Sequence, residues 1–382
     1  MTGEPTSVGR MERHVRHATF EQLSLAGHDV RIIEDGAVPL DLNGSGQHEM
    51  PESWKRAQPI VTPKIATLKN AELLPDGSAI LPDGLFCYSD STFNNPENWR
   101  NYLRFRFRNS DAGVDDGTVL LPHKNVMAVT GRCFSALSNV ASNFGHFVHD
   151  VLTRIYYEDL GVIAPGREKV IAPAFAFPMQ KALFENVYAG YEIVQAPPWT
   201  MFEVEELLLP ANLCSCTSFN PESIAALACR MHRVVAPYNA NERIKVCVSR
   251  TGSSGGRDLF GERDFVNIAA YETRMREMGY RIVEASSLDA ESQFSLWANT
   301  ASIVGVHGAG MMNMIMMPAG GLYTEIAGYA GNRDSAALRS ILTTRCAAAA
   351  GHCVNGIESV LEDECRQSID IGRLEELLRK AP

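Results

Sequence analysis

The segment that most constrains the fold is 301–326, which reads ASIVGVHGAGMMNMIMMPAGGLYTEI. An apolar run at 302–306 leads into His-Gly-Ala-Gly at 307–310, a Met-rich stretch follows, and a second apolar run ends at Glu325. This order predicts a strand, a helix at 308–317 and a strand at 322–326, which together form a parallel βαβ unit. Small residues at the strand-to-helix turn let backbone N–H groups and the helix dipole approach an anion such as phosphate. The alternative is a tight turn that binds no ligand.

Two familiar phosphate-binding motifs do not fit this turn. The dinucleotide fingerprint GxGxxG fails because Asn313 stands where its third glycine would be. A P-loop fails because the chain contains no Gly-Lys-Ser or Gly-Lys-Thr sequence. The turn therefore predicts a phosphate site of another type.

The second half of the chain alternates between strand and helix patterns. Further strands are predicted at 244–248 and 280–283, and further helices at 262–278 and 289–299. Short connections between such segments are typical of a parallel sheet that helices cover on both faces. Ligands bind to these sheets at the carboxyl ends of the strands. Because Ser249, Arg250, His307 and Glu325 lie at or near predicted strand ends, we expect them to meet in one site.

The side chains at these strand ends suit a nucleoside diphosphate. Arg250 and Arg257 flank a loop rich in glycine and serine, and a guanidinium offers a planar fork that matches diphosphate oxygens. Glu325 is costly at the end of an apolar strand unless it is paired or used, and two ribose hydroxyls would use it. His307 would orient a phosphate. The alternatives are salt bridges for the arginines, a salt bridge or helix cap for Glu325, and a helix cap for His307.

The first half is predicted to be a second α/β unit. Strand patterns occur at 78–81, 85–88, 103–107, 125–129, 169–172, 191–194 and 203–209, and helix patterns at 143–160, 179–188 and 221–235. We therefore predict two Rossmann-like domains, at 71–238 and 239–382, with the change of domain inside 236–242. Residues 1–70 form a poorly patterned N-terminal segment.

One predicted helix of the first half carries a pattern that suits catalysis. Its apolar stripe consists of Phe144, Val148, Val151, Leu152 and Ile155, and its polar side of Asn143, His146, Asp150, Thr153 and Arg154. His146 and Asp150 lie one turn apart and can hydrogen-bond, so either could be a general base with the other as its partner. A metal site that includes His149 lacks a third ligand at a recognisable spacing, so we predict no metal. The alternative is a solvated polar face.

Composition excludes several kinds of partner. The net charge of −10 leaves no basic surplus to neutralise nucleic acid or an acidic membrane. The nine cysteines show no zinc-site spacing, which is typical of reduced and mostly buried thiols. The polar start has no apolar signal core, and no run of about 18 apolar residues occurs. We therefore expect a cytoplasmic protein, with peripheral contact to the inner membrane left open.

Taken in order, the motifs resemble a known family. The resemblance rests on Ser249-Arg250, the run RDLFGE at 257–262, Gly279-Tyr280, Val283-Glu284, the stretch 293–298, the run VGVHGAG at 304–310, Asn313 and Glu325-Ile326. These motifs are similar to the C-terminal half of glycosyltransferase family 61. The helix at 143–155 is similar to the helix of that family's N-terminal half that reads Asn-aromatic-aromatic-His-Trp and, further on, Asp. The sequence departs from the family pattern at Gly145, Thr251, Gly261 and Met312.

The resemblance implies a GT-B fold and metal-independent, inverting transfer from a nucleotide sugar, commonly a UDP-sugar, without a cofactor. The 71–238 domain would then face a glycan or glycolipid acceptor, with Asp150 or His146 as the base and His307 as the next candidate. The 239–382 domain would bind the donor. The implied donor contacts are Arg250, Arg257, His307, Gly308, Ala309, Gly310, Asn313 and Glu325. Eukaryotic members usually carry a secretory anchor, so its absence points to a bacterial-type enzyme of surface polysaccharide or glycolipid synthesis.

Two other classes of function stay open. A non-catalytic nucleotide-sugar-binding protein would bind the donor without turnover, although Asp150, His146, Arg250 and Glu325 occur together. A metal-dependent hydrolase that uses His146, His149 and Asp150 would contain a stoichiometric metal and lose its activity to a chelator. The sequence indicates neither the sugar, the acceptor nor the oligomeric state.

Overall fold

The computed structural model describes residues 9–14, 16–38, 40, 50–51, 54, 59–87, 118–123, 125–138, 140–195, 197–214, 218–249, 265–328, 333–362 and 366–380. The described strands are β1 (Gly9–His14), β2 (Arg16–His17), β3 (Asp29–Ile32), β4 (Lys64–Leu73), β5 (Ala79–Ile80), β6 (Leu85–Cys87), β7 (Thr118–His123), β8 (Asn125–Ser135), β9 (Lys169–Ala172), β10 (Glu192–Gln195), β11 (Thr200–Pro210), β12 (Ile244–Val248), β13 (Arg281–Val283), β14 (Thr300–Val306), β15 (Leu322–Ala327), β16 (Cys353–Glu358), β17 (Val360–Leu361) and β18 (Gln367–Ser368). The longer α-helices are Phe20–Leu25, Pro178–Val187, Pro221–Val235, Ile268–Glu277, Ala290–Ala298, Arg333–Ala349 and Ile371–Lys380. Short 3-10 helices are Ala236–Tyr238, Ala285–Ser287 and Ala309–Met316.

The first half is built on a nine-stranded mixed sheet. Its main path is β10-β9-β8-β11-β4-β5-β6-β2, and β3 pairs with β4. Strands β10, β9, β8 and β11 are parallel, whereas β4 is antiparallel to both β11 and β3. Strand β4 crosses residue 70, so the chain before this position already contributes to the sheet. The predicted strand at 103–107 lies outside the described residues.

The second half is built on a five-stranded sheet, as its alternating pattern predicts. Strand order is β13-β12-β14-β15-β16, and every pair is parallel. Numbered along the chain from β12, this is the doubly wound order 2-1-3-4-5, which places a ligand crevice between its first and third strands. Here these strands are β12 and β14. Alternate residues pack into two separate cores on the two faces, so the prediction of a sheet covered on both sides is confirmed.

The helix predicted at 143–160 is present but irregular. It consists of an α-turn at Phe144–His146, a π-turn at Phe147–Val151, a 3-10 turn at Leu152–Ile155 and an α-turn at Tyr156–Asp159; we call it the composite helix 144–159. The helix predicted at 308–317 is also not a regular α-helix, but the 3-10 helix Ala309–Met316. Glycine has a low helix propensity, and short 3-10 segments are common as connectors. The helix predicted at 262–278 is described as Ile268–Glu277.

The polar side of the composite helix is buried, so the alternative of a solvated face is wrong for most of its residues. Thr153 and Arg154 are fully buried. The Arg154 guanidinium donates from Nη1 to the carbonyl oxygens of Ser135 and Leu137, at 3.1 and 2.8 Å. These bonds fasten the composite helix to the carboxyl end of β8. The helix is therefore fixed by its polar side as well as by its apolar stripe.

Part of the N-terminal segment packs across the molecule. Asp35 accepts hydrogen bonds at Oδ2 from Asn220 Nδ2 at 2.8 Å and from the Tyr156 hydroxyl at 3.3 Å. The fully buried Trp54 lies against Gly356 in β16, where an added Cβ would come within 2.2 Å of the indole ring. A residue that lacks pattern in the sequence is thus tied to the edge strand of the second sheet.

One hydrophobic core connects the two halves. It contains the apolar stripe of the composite helix, residues of helix Pro221–Val235 and the Met-rich 3-10 helix Ala309–Met316. The His232 side chain on helix Pro221–Val235 also contacts the carbonyl oxygen of Met317 at 2.6 Å. Among the described residues, no helix has the length and apolar character needed to cross a membrane. The α/β class is confirmed, whereas the two-domain GT-B arrangement stays a prediction.

Candidate active site

Asn143 starts the composite helix and fixes the direction of its first turn. Its side-chain oxygen accepts hydrogen bonds from the backbone N–H of Gly145 at 2.9 Å and of His146 at 3.4 Å. This is the usual N-cap arrangement, in which a side chain satisfies N–H groups that have no partner inside the helix. The asparagine of this motif therefore has a structural role, and it places His146 at the start of the helix.

Asp150 lies between two imidazole rings. Its Oδ2 is 3.0 Å from Nδ1 of His146, and its Oδ1 is 2.6 Å from Nδ1 of His149. The amide of Asn212, in the loop after β11, donates to Oδ1 at 3.4 Å. Burial alone would raise the pKa of Asp150, but the charge of His149 and the hydrogen bonds from both histidines outweigh it. The pKa is held well below its usual range, so the carboxylate stays ionised and is a weak base.

The predicted contact between His146 and Asp150 is confirmed, and the geometry separates their possible roles. An ionised carboxylate at Nδ1 requires a proton on that nitrogen, so the neutral His146 ring carries its lone pair on Nε2. The His146 side chain is 37% exposed, whereas Asp150 and His149 are only 5% and 7% exposed. His146 is therefore the member of this cluster that an incoming substrate can reach.

The same three residues are the described cluster that could hold a metal ion. One ligand atom from each of His146, His149 and Asp150 lies within 4.8 Å of the others. However, each imidazole Nδ1 lies at hydrogen-bond distance from a different carboxylate oxygen. This arrangement satisfies the three groups as hydrogen-bonded pairs without an ion between them.

His307 and Glu325 form a second histidine–carboxylate pair. Nδ1 of His307 lies 2.8 Å from Oε1 of Glu325, and the backbone N–H of His307 donates to the carbonyl oxygen of Ile326. In the parallel register Gly305 of β14 pairs with Glu325 of β15. His307, the first residue after β14, therefore lies beside the Glu325 carboxylate. His307 of this pair follows the carboxyl end of β14, one of the two strands between which the strand order places a ligand crevice.

Glu325 differs from its predicted position. It lies inside β15 rather than at its end, and it is fully buried. Its Oε2 accepts hydrogen bonds from the hydroxyl of Tyr323 and from Thr343 Oγ1, the latter at 2.6 Å. Because Tyr323 and Thr343 occupy Oε2, the Glu325 carboxylate can act on the site through its contact with His307. The contact with ribose hydroxyls stays a prediction and would require one of these partners to move.

Gly310 of the His-Gly-Ala-Gly turn allows close packing. An added Cβ at Gly310 would come within 3.0 Å of a Val248 methyl group on β12. Asn313 is buried, and its amide donates to the carbonyl oxygen of Gly310 at 2.9 Å, so it braces the turn from inside. Gly308 and Ala309 begin the 3-10 helix, where the first N–H groups have no preceding carbonyl within the helix.

The two predicted motifs meet. Gly145 of the composite helix packs on Ala309, with 3.4 Å between an added Cβ and the Ala309 Cα. His146 and His307 flank this contact along the chain. Burial raises the pKa of the Cys346 thiol well above its usual value, and Cys214, Asp150 and Glu325 raise it further. Both carboxylates therefore lie within electrostatic range of one buried side chain.

Two of the predicted donor-binding residues lie outside the described part of the chain, and two residues of the site were not predicted from the sequence. Arg250 and Arg257 lie outside the described residues. Sequence reasoning did not find Asn212 or Thr343, because nothing in their local sequence marks them. His149 was noticed only as a possible metal ligand.

The fold and site define an α/β protein with a doubly wound parallel sheet, whose ligand crevice adjoins a second histidine–carboxylate cluster. Residues 144–324 match the family model described as Glycosyltransferase 61. This match supports the resemblance seen in the sequence, and the family suggests a glycosyltransferase. The matched segment contains His146, Asp150 and His307 and ends one residue before Glu325. A comparison with curated proteins finds no match.

Proposed function

We propose that this protein transfers a sugar from a nucleotide sugar, with UDP as the nucleotide, to a hydroxyl group of a glycan or glycolipid acceptor. The observation that carries the proposal is the contact between Gly145 and Ala309, since Gly145 precedes His146 of one histidine–carboxylate pair and Ala309 lies two residues after His307 of the other. One pair suits proton removal from an acceptor, and the other suits the negative charge of a leaving diphosphate.

The first step of the proposed reaction is removal of the acceptor proton by His146. As the acceptor oxygen attacks the anomeric carbon, its proton passes to Nε2 of His146. Asp150 holds the ring through Nδ1 and stabilises the imidazolium that forms, as a carboxylate does in a catalytic triad. His146 is thus the base and Asp150 its partner, because the depressed pKa of Asp150 makes it a weak proton acceptor.

The leaving group departs on the other side of the anomeric carbon. The bond from this carbon to the phosphate oxygen breaks, and its electron pair leaves with the nucleoside diphosphate. His307 and the N–H groups at the start of helix Ala309–Met316 would stabilise the growing charge. Arg250 and Arg257, predicted from the sequence, would add charge-assisted hydrogen bonds. A single displacement of this kind inverts the anomeric configuration and uses no metal.

The proposal is tested first by donor binding and then by turnover. A thermal-shift screen of nucleotides and nucleotide sugars identifies the donor, because a ligand stabilises the folded state by RT ln(1 + [L]/Kd). The best donor is then incubated with glycan and glycolipid acceptors, and the product is detected by mass spectrometry. Absence of stabilisation by every nucleotide sugar would contradict the proposal. Binding without turnover would favour the non-catalytic alternative.

A metal-dependent hydrolase is the second candidate, favoured by one observation. The ligand atoms of His146, His149 and Asp150 are close enough to surround an ion. Such an enzyme would purify with a stoichiometric metal, hydrolyse its substrate without an acceptor and lose activity in a chelator. Metal analysis and activity in excess chelator separate the two candidates. We further propose surface polysaccharide or glycolipid synthesis at the cytoplasmic side of a membrane as the setting.

A further inference from the structure

His149 is the least exposed histidine of the site, and the proposed reaction gives it no step. Its Nδ1 makes the shortest contact of the cluster, 2.6 Å to Oδ1 of Asp150. Its backbone carbonyl accepts a hydrogen bond from Thr153 Oγ1 at 2.7 Å. Both the side chain and the main chain of His149 are therefore held, which indicates a residue whose position matters.

The local backbone is unusual at this residue. His149 and Asp150 lie in the π-turn Phe147–Val151, in which the N–H of Leu152 bonds to the carbonyl oxygen of Phe147, five residues earlier. Such turns interrupt a regular helix at a cost, and they occur frequently at functional sites. The Thr153 hydroxyl supplies a hydrogen bond to the carbonyl oxygen of His149 inside this irregular stretch.

We propose that His149 is a positioning residue that orients Asp150, so that the opposite carboxylate oxygen holds His146 in its Nδ1–H tautomer. The inference rests on the proposed function, since it assigns His146 as the base. The two imidazoles contact different oxygens of one carboxylate, so a proton donor at Oδ1 fixes the plane in which Oδ2 meets His146. Asn212 reaches Oδ1 only at 3.4 Å and is a weaker constraint.

His149 is not the base itself. Its side chain is 7% exposed, compared with 37% for His146, so an acceptor hydroxyl reaches only the latter. From another element, the Cys346 thiol lies within electrostatic range of Asp150, with Cys214 beside it. Burial raises the pKa of Cys346 well above its usual value, so this thiol stays neutral at the pH of an activity assay.

Three variants test the inference. His149→Leu removes the donor at Oδ1, whereas His149→Asn keeps an amide donor at nearly the same position. Val148→Ala is the matched control, because it removes buried volume from the same π-turn on the apolar side. Each variant is characterised by its pH profile of kcat, by its KM for the donor and by NMR titration of the His146 ring.

We expect His149→Leu to lower kcat and to leave the KM for the donor unchanged. The loss should be smaller than the roughly 10²–10⁴-fold that a general base contributes. With one donor fewer, Asp150 binds the His146 proton more tightly, so the pKa of His146 and the acidic limb of the profile shift to higher pH. His149→Asn should recover most of both effects. Val148→Ala should lower thermal stability without moving either titration midpoint.

Several results would overturn the inference. One is a His146 titration in His149→Leu that coincides with that of the wild type. Another is equal behaviour of the Asn and Leu variants, and a third is a stoichiometric metal whose removal alone changes the His146 signal. A wild-type protein that transfers no sugar overturns the proposed function instead, and the NMR titration then still decides the position of His149.

Discussion

Replacement of Glu325 by glutamine probes the buried carboxylate that holds His307. The variant keeps the shape of the side chain but removes the charge that faces Nδ1 of His307 at 2.8 Å. A hydrogen bond to a charged group contributes about 1.5–3 kcal/mol, which corresponds to roughly a 10- to 150-fold change in affinity. Because Glu325 is fully buried, solvent does not replace the lost interaction. We therefore expect Glu325→Gln to weaken UDP binding by this factor.

The assay is isothermal titration calorimetry with UDP, accompanied by a thermal melt of each protein. The matched control is Glu168→Gln, which alters another buried carboxylate, one that lies just before β9 and pairs with Arg167 and with Arg132 of β8. The control should lose stability and keep its UDP affinity. If Glu325→Gln binds UDP as tightly as the wild type, the argument that Glu325 acts through His307 on the donor is refuted.

Three further outcomes are expected. Burial lowers the pKa of His352 from 6.5 to about 4. The buried neutral ring is therefore fully compatible with the fold above pH 6.5, and the free energy of unfolding should fall by on the order of 3 kcal/mol as the pH falls from 6.5 to 4. Unfolding by denaturant across this range should show a smaller fall for His352→Gln. Gly356→Ala should destabilise the protein strongly in a thermal melt, because the added Cβ would lie 2.2 Å from the Trp54 ring. The comparison variant Gly161→Ala has nothing within 4 Å of its added Cβ, so it should show only the backbone cost of its positive φ of +69°. Sugar transfer should persist in excess chelator, and its loss with recovery on adding manganese or magnesium would show that the leaving group depends on a metal.

Local periodicity was sufficient for much of the fold. The alternating pattern after residue 244 predicted the strands of the parallel sheet up to β15, and their order along the chain implied the shared edge at which His307 lies. The spacing of His146 and Asp150 predicted their contact, which is confirmed at 3.0 Å. These features depend on residues close together in sequence, where geometry follows directly from helix and strand repeats.

Other features depend on contacts between distant segments. His307 and Glu325 were each predicted in the site, but their pairing depends on the register between β14 and β15, which no local pattern specifies. Thr343 reaches Glu325 from a helix that the sequence analysis did not identify. The packing of Trp54 on Gly356 joins two segments about 300 residues apart and gives no periodic signal. The π-turn Phe147–Val151 was not predicted, because a regular α-helix has a uniform repeat of about 100° per residue and the sequence pattern does not mark where this repeat is interrupted.

We propose that His146 removes the acceptor proton while Asp150 holds the His146 ring in its Nδ1–H tautomer, and the reaction depends on this assignment. It is tested most directly by kcat at saturating donor and acceptor for His146→Ala and Asp150→Asn, each with its UDP affinity measured in parallel. His146→Ala should lose roughly 10²–10⁴-fold in kcat. Asp150→Asn should also lose at least about 10²-fold, because an amide offers one oxygen where two imidazoles each need an acceptor. Both variants should bind UDP as the wild type does. Near-normal turnover in both would contradict the account and leave the composite helix with a structural role only.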